Sequence, residues 1–155
     1  MIEDLAKKTT FNINDIIKVL PHRYPFILID KLEIVDSGEA VKALKNFTMN
    51  EPFFQGHFPG QPVVPGVLSL EIMAQAGSFL MLSQIDKPLL KNMLFTTVEK
   101  AKFKKPIVPG DQLTVEVQLV KKKLNLCKFQ GFCFVQENLV SEAVFTANIV
   151  DRARE

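Results

Sequence analysis

The stretch VLSLEIMAQAGSFLMLS, residues 67–83, constrains the fold more than any other part of the chain. Ala, Leu, Met, Glu and Gln favour helix. Pro65 suits a first helical turn, where its missing N–H is no loss. The pattern predicts a helix from 66 to about 84. That helix is apolar nearly all the way round, and a helix of this kind must be buried on most of its surface. The rest of the chain has to wrap it. From Val67 to Leu82 the apolar run is 16 residues and contains Glu71 and Gln75. That is too short and too polar for a bilayer span, so no membrane insertion is expected.

The wrapping is supplied by strands. MLFTTVEKAKFKK, QLTVEVQLVKKK, NLCKFQGFCFVQE and LVSEAVFTANIVD follow the helix, the last two joined by a turn at Glu137-Asn138. Lengths near ten residues and tight connections favour an antiparallel sheet. Upstream, Asn12 or Asn14 can cap a short helix through Leu20, which Pro21 ends. FILIDKLEIV and AVKALKNFTM read as two more strands. One buried helix with five or six long strands predicts an α+β architecture, a curved antiparallel sheet around a central helix, as a single domain over 1–155.

Composition narrows the class. Hydrophobic residues at 47% and charged residues at 23% are those of a soluble globular protein. A net charge of +2 gives no ground for nucleic-acid binding. MIEDLAKKTT lacks the apolar core of a secretory signal. Cys127 and Cys133 lie on one expected strand, roughly 20 Å apart when extended, beyond disulfide reach. Unpaired cysteines fit a reducing compartment, so a cytoplasmic protein is expected.

The segment FQGHFPGQPVVPG, residues 54–66, carries prolines at 59, 62 and 65 and glycines at 56, 60 and 66. Prolines fix φ and cannot donate to a sheet, so this is a stiff loop, and His57 is its only titratable residue. A lone histidine is more often structural than catalytic, but rigid placement is what a general acid or base needs. Fourteen residues on, Glu71 is the only charge between Gly66 and Ser83. Gln75 and Ser78 share its face at helical spacing. The stripe is either the solvent side of the helix or a functional carboxylate among apolar neighbours, where a charge is costly unless paired. Its narrowness, and neighbours such as Met73, Ala74 and Ala76, favour the second. At Gly66 the helix start offers unpaired N–H groups, unless the glycine only eases the turn. A base, an acid and an oxyanion site together suit proton abstraction beside a carbonyl.

GHFPGQPVVPGVLSLEIMAQ closely resembles the (3R)-hydroxyacyl-[acyl-carrier-protein] dehydratases of bacterial-type fatty acid synthesis, the Z type. LPHRYPFILID and KAKFKKPIVPGDQL, in order along nearly the whole chain, carry the same resemblance. It implies a hot-dog fold and a catalytic pair that falls on His57 and Glu71. It further implies an oxyanion contact from the Gly66 N–H and a Val63 carbonyl that orients His57. Sister dehydratase-isomerases carry Asp at the helix position, so Glu71 points to the enzyme that does not isomerise. The resemblance implies acyl carrier protein as partner, substrate on its phosphopantetheine arm, and no metal or other cofactor. It also implies a homodimer in which His57 of one subunit meets Glu71 of the other, commonly assembled as a trimer of dimers. Many members place Tyr where this chain has Leu94, so tyrosine gating of the acyl tunnel does not carry over; Tyr24 is the only tyrosine.

Lys100, Lys102 and Lys104 alternate along one expected strand and so share a face. With Lys105 they are candidates for docking an acidic carrier, or they form a solvated edge that discourages aggregation; the run Lys121 to Lys123 adds to the basic inventory. His22 in HRYPF reads as structural, although the motif places it near the active-site region. Two other activities fit the fold: an acyl thioesterase acting through Glu71 and water, marked by release of thiol, and a non-catalytic acyl-thioester sensor. The second has little room for a DNA-binding segment before the first helix.

Overall fold

The computed structural model describes residues 8–153, so the N-terminal residues read for a leader sequence lie largely outside it. Strand β1 (Thr10–Asn12) runs into the one-turn helix α1 (Ile13–Ile16). Asn12 caps it: its side chain accepts the Asp15 N–H at 3.2 Å, and the Asp15 carboxylate accepts the Asn12 N–H at 3.4 Å. A hydrogen bond from Lys8 holds the Asp15 carboxyl below the usual carboxylate range. The helix closes at Ile16 and continues to Leu20 only as turns, with the Leu20 N–H on the Ile16 carbonyl at 2.9 Å.

Strand β2 (Lys31–Val35) is half the length that FILIDKLEIV suggests. The reason lies on the helix. The Gln75 side chain accepts the Leu28 N–H at 2.9 Å and donates to the Phe26 carbonyl at 2.8 Å. A side chain therefore satisfies backbone groups that a neighbouring strand would otherwise take. Strand β3 (Ala40–Asn46) pairs with β2, and the Pro/Gly loop then leads into α2 (Gly66–Leu82).

Four long strands follow: β4 (Lys91–Phe103), β5 (Gln112–Lys123), β6 (Leu126–Val135) and β7 (Asn138–Asp151). With the first three they form one antiparallel seven-stranded sheet in the order β1-β2-β3-β5-β6-β7-β4. Leu124-Asn125 and Gln136-Glu137 make two-residue turns, so the last turn sits one residue before Glu137-Asn138. Inward positions alternate with period two, as Leu113, Val115 and Val117 on β5 and Cys127, Phe129 and Cys133 on β6.

The sheet packs around α2, which touches β3 through β7. Ile72, Met73, Ala76, Phe79, Leu80 and Leu82 are fully buried. Gly131 on β6 lets the helix approach, since a Cβ there would stand 2.7 Å from the Met73 sulfur. Gln75 and Ser78 are buried too, at 0% and 4% exposure, so the polar stripe is not a solvent face. Both cysteines are unpaired and buried, and burial pushes the Cys133 thiol up to about 12. No helix among the described residues is long and apolar enough to cross a membrane.

β4 lies at the sheet edge, paired only with β7, and leaves Leu94, Phe95, Val98 and Phe103 exposed. A bulge interrupts its register between Glu99 and Lys102, with Lys100 at a φ of 53°. The simple alternation expected of Lys100, Lys102 and Lys104 therefore fails at Lys100: an extra residue in a bulge shifts every later side chain relative to the earlier ones.

Candidate active site

The loop before α2 is fixed by its own backbone. The His57 N–H donates to the Phe53 carbonyl at 2.9 Å, and the Val63 N–H donates to the His57 carbonyl at 3.0 Å. Phe58 and Gln61 exchange N–H···O bonds at 3.1 and 2.9 Å, and the Val64 N–H reaches the Ile107 carbonyl at 2.8 Å. The His57–Phe58 peptide is cis, with the two rings stacked at 4.0 Å. Upstream, the nearly buried Lys45 on β3 pairs with Glu51 at 2.7 Å and ties the loop's entry to the sheet.

Besides its stacking on Phe58, the His57 side chain is oriented by one hydrogen bond, Nδ1 to the Val63 carbonyl oxygen at 2.6 Å. A carbonyl only accepts, so Nδ1 carries a proton, and in the neutral ring Nε2 is the nitrogen with the lone pair. A cavity of about 300 Å³ adjoins His57, lined also by Val63, Gly66, Ser69, Phe103 and Ser141. The Gly66 N–H, first of the helix, has no hydrogen-bond partner among the described residues. The Ser69 hydroxyl donates to the Gly66 carbonyl at 2.7 Å. A Cβ at Gly66 would stand 3.0 Å from the Phe103 ring, so a larger residue would press on that side chain. The cavity is thus bordered by the histidine and by an N–H at a helix start.

Glu71 sits on a different side of α2. Two residues apart on a helix is about 200° of rotation, so Glu71 points nearly opposite to Ser69, which borders the His57 cavity. His57 and Glu71 share neither a hydrogen bond nor an ion pair within one chain. Glu71 Oε1 accepts from Gln75 Nε2 at 2.9 Å, and His22 Nε2 stands 3.4 Å from the same oxygen. The Gln75 amide orientation follows from its neighbours: its oxygen must face the Leu28 N–H, so its NH₂ must face both the Phe26 carbonyl and Glu71. The carboxylate that looked costly among apolar side chains is paired. Val67, one turn earlier on the same face, is 65% exposed.

His22, read from sequence as structural although its motif places it near the active-site region, lies beside Glu71. Its ring is largely covered, stacks on Phe26 at 6.4 Å and faces Glu71, and its Nδ1 is buried without a partner.

The lysines divide between the two ends of the sheet. The Lys104 and Lys105 N–H groups donate to the Val140 carbonyl at 2.7 and 3.3 Å, which fixes both at the rim of the His57 cavity. Lys102 and Lys104 share Glu142 at 3.4 and 3.8 Å, and Lys105 donates to Asn138 at 2.8 Å. Lys121 to Lys123 lie at the other end of β5.

A model of the FabA-like domain matches residues 20–144. Among curated relatives, the chain is 49% identical over 142 residues to the 3-hydroxyacyl-[acyl-carrier-protein] dehydratase FabZ of Nitratidesulfovibrio vulgaris strain Miyazaki F, covering 91% of this chain and 92% of the relative. It is 46% identical over 145 residues to that of Koribacter versatilis, covering 94% and 93%. Among solved structures, it resembles a chain of the dehydratase heterocomplex ApeI:P from Xenorhabdus doucetiae with a TM-score of 0.74 at 16% identity, over 88% of this chain and 91% of that one. A hypothetical thioesterase with coenzyme A from Streptococcus pneumoniae matches with a TM-score of 0.56 at 14% identity, over 76% and 83%. At such identities the structural likeness speaks for the hot-dog fold alone.

Proposed function

The chain belongs to the FabA-like family, as a dehydratase of 3-hydroxyacyl-[acyl-carrier-protein] in fatty acid synthesis, and we propose that His57 is its general base and Glu71 its general acid. The supporting observation is the 2.6 Å contact between His57 Nδ1 and the Val63 carbonyl, which in the neutral ring leaves Nε2 free to accept a proton, in a histidine that lines one cavity with Gly66.

With a (3R)-3-hydroxyacyl thioester in the cavity, His57 Nε2 takes a proton from C2. The Gly66 N–H stabilises the enolate-like thioester oxygen, where the helix dipole favours negative charge. The electron pair forms the C2–C3 double bond as the C3–O bond breaks. Glu71 protonates the departing oxygen, and water leaves, giving the trans-2-enoyl thioester. The imidazolium stays supported by the Val63 carbonyl, and a proton returns from His57 to Glu71 to close the cycle. Every proton has a side chain to carry it, so these steps use no metal and no cofactor besides the substrate's own phosphopantetheine arm.

The acid and the base come from two subunits of a homodimer. Supporting this, the two side chains lie on different sides of α2. Phe58, beside His57, is 52% exposed, Val67 on the Glu71 face is 65% exposed, and the long edge strand β4 leaves a row of apolar side chains uncovered. Monomers seldom leave such an edge unprotected, and a two-fold contact would bring a second copy's loop toward Glu71. Three such dimers make the hexamer that the family resemblance implies. Lys104 and Lys105 at the cavity rim receive the acidic carrier, and the two unpaired cysteines suit work in the cytoplasm.

The direct test follows enoyl-thioester absorbance with (3R)-hydroxybutyryl carrier protein, comparing the unmodified enzyme with Glu71→Gln and His57→Ala. Activity in the first and collapse in both variants is expected; full activity in either variant overturns its assigned role.

A further inference from the structure

Glu71 has two oxygens, and the fold treats them differently. Oε1 receives the Gln75 N–H at 2.9 Å, and that Gln75 group cannot accept, because its amide oxygen is held by the Leu28 N–H. A proton on Oε1 would face a donor, so a neutral Glu71 carries its proton on Oε2. His22 Nε2 also faces Oε1, at 3.4 Å. Against an oxygen that bears no proton, Nε2 must be the N–H of the ring. His22 Nδ1 then holds a lone pair, buried and without a donor.

We infer that His22 is a positioning residue for the dehydration: its Nε2–H and the Gln75 amide together hold Glu71 Oε1, so that Oε2 alone delivers the proton to the departing hydroxyl. This rests on the reading of Glu71 as general acid. As the proton leaves, negative charge spreads onto Oε1, where the Gln75 N–H is already bonded and the His22 N–H lies close enough to tighten onto it. The 3.4 Å separation is long for a hydrogen bond, and contacts of this kind shorten as charge develops. His22 is well held for the task. Its ring stacks on Phe26, and the Phe26 carbonyl is bound by the same Gln75 NH₂ that binds Glu71. One glutamine thereby locks the 22–28 segment to the helix and sets the register of both donors on a single oxygen.

Two amide substitutions separate positioning from mere packing. His22→Gln carries an N–H at the reach of Nε2, whereas His22→Asn carries the same group at the reach of Nδ1, short of Glu71. Both are polar and smaller than or similar to the imidazole, and thermal melts confirm that each folds. With hydroxybutyryl carrier protein, His22→Asn should lose roughly ten- to a hundredfold in kcat with KM within about twofold, the scale of one charged hydrogen bond. His22→Gln should stay within about threefold of the unmodified enzyme. Equal kcat in the two variants, or a loss carried by KM, overturns the inference. Glu71→Gln is measured beside them. If it collapses while His22→Asn is fully active, only the role of His22 fails; if Glu71→Gln is fully active, the general-acid reading fails and this inference with it.

Discussion

The loop that holds His57 is built from backbone, whereas the setting of Glu71 is built from side chains that bind a segment 47 to 49 residues away in sequence. Around His57, peptide N–H groups and carbonyls of residues 53 to 63 bond to one another, the Val64 N–H ties the loop to Ile107, and the side chain adds one hydrogen bond, to the Val63 carbonyl. Around Glu71, Gln75 makes three hydrogen bonds and His22 faces the remaining side of the same oxygen. A loop that fixes itself can lose its functional side chain and keep its shape. A cluster that depends on one buried amide cannot lose that amide cheaply, because the backbone groups it serves would be orphaned.

The largest effect tests whether the two settings belong to one site. His57→Ala and Glu71→Gln should each lower kcat by about 10²- to 10⁴-fold, the usual worth of a positioned acid or base. Unfolded together and refolded as a mixture, two inactive variants should recover about one quarter of full activity, since half the dimers pair unlike subunits and each restores one site. No recovery, with mixed dimers demonstrated by mass, would place both residues in the same subunit's site.

The comparison sharpens when stability is read instead of rate. Gln75→Leu leaves the Phe26 carbonyl and the Leu28 N–H without partners in the core. It should cost about 2–6 kcal/mol in urea unfolding, at about 1–3 for each of the two orphaned groups. His57→Ala should cost about 1 kcal/mol or less, because the loop's backbone bonds remain and the Val63 carbonyl can turn to water. Similar costs for the two would erase the distinction between a self-supporting loop and a side-chain clamp.

This difference also explains what could be read from sequence. Prolines and glycines announce a rigid loop, so His57 stood out within thirteen residues of text, and the apolar circumference of α2 made its burial and the wrapped sheet legible. The Glu71 setting depends on contacts across 47 or more residues, and nothing local distinguishes a buried Gln75 that clamps backbone from one that faces water. For the same reason FILIDKLEIV looked like one strand: β-branched residues describe a preference, while Gln75 had already taken the bonds of Phe26 and Leu28. The bulge at Lys100 left no turn residue to mark it, because a lysine there holds a φ usually reserved for glycine or asparagine.

A smaller effect concerns how tightly the two regions press on the helix start. Gly66→Ala brings a Cβ to 3.0 Å from the Phe103 ring, whose edge is half exposed and can swing aside. The cost should be about 1 kcal/mol, at the low end for an overpacked site, and Phe103→Leu in the same chain should recover most of it. No recovery would mean that the strain lies in the helix start and not against β4.

The smallest effect separates the backbone-held rim from the lysines at the far hairpin. Lys104 and Lys105 are fixed beside the His57 cavity through the Val140 carbonyl, whereas Lys121 lies nine residues along β5 from Gln112, roughly 30 Å in an extended strand. One carrier cannot deliver a single acyl arm to the cavity while its main charge contacts lie at the hairpin. Lys104 already shares Glu142 with Lys102, so part of its charge is spent within the chain; Lys105, bonded to the neutral Asn138 amide, keeps its own. Lys105→Gln should therefore raise KM for hydroxyacyl carrier protein by about threefold at low salt, and more than Lys104→Gln, the scale of one exposed charge contact. The difference should fade above about 0.3 M salt, and KM for the same acyl group on a short thiol without the carrier should not change. Lys121→Gln should leave all of these values where they are. If instead the hairpin substitution raised KM and the rim substitutions did not, the carrier would approach from the opposite end of the sheet, and the arm would have to enter the site from the side of Glu71.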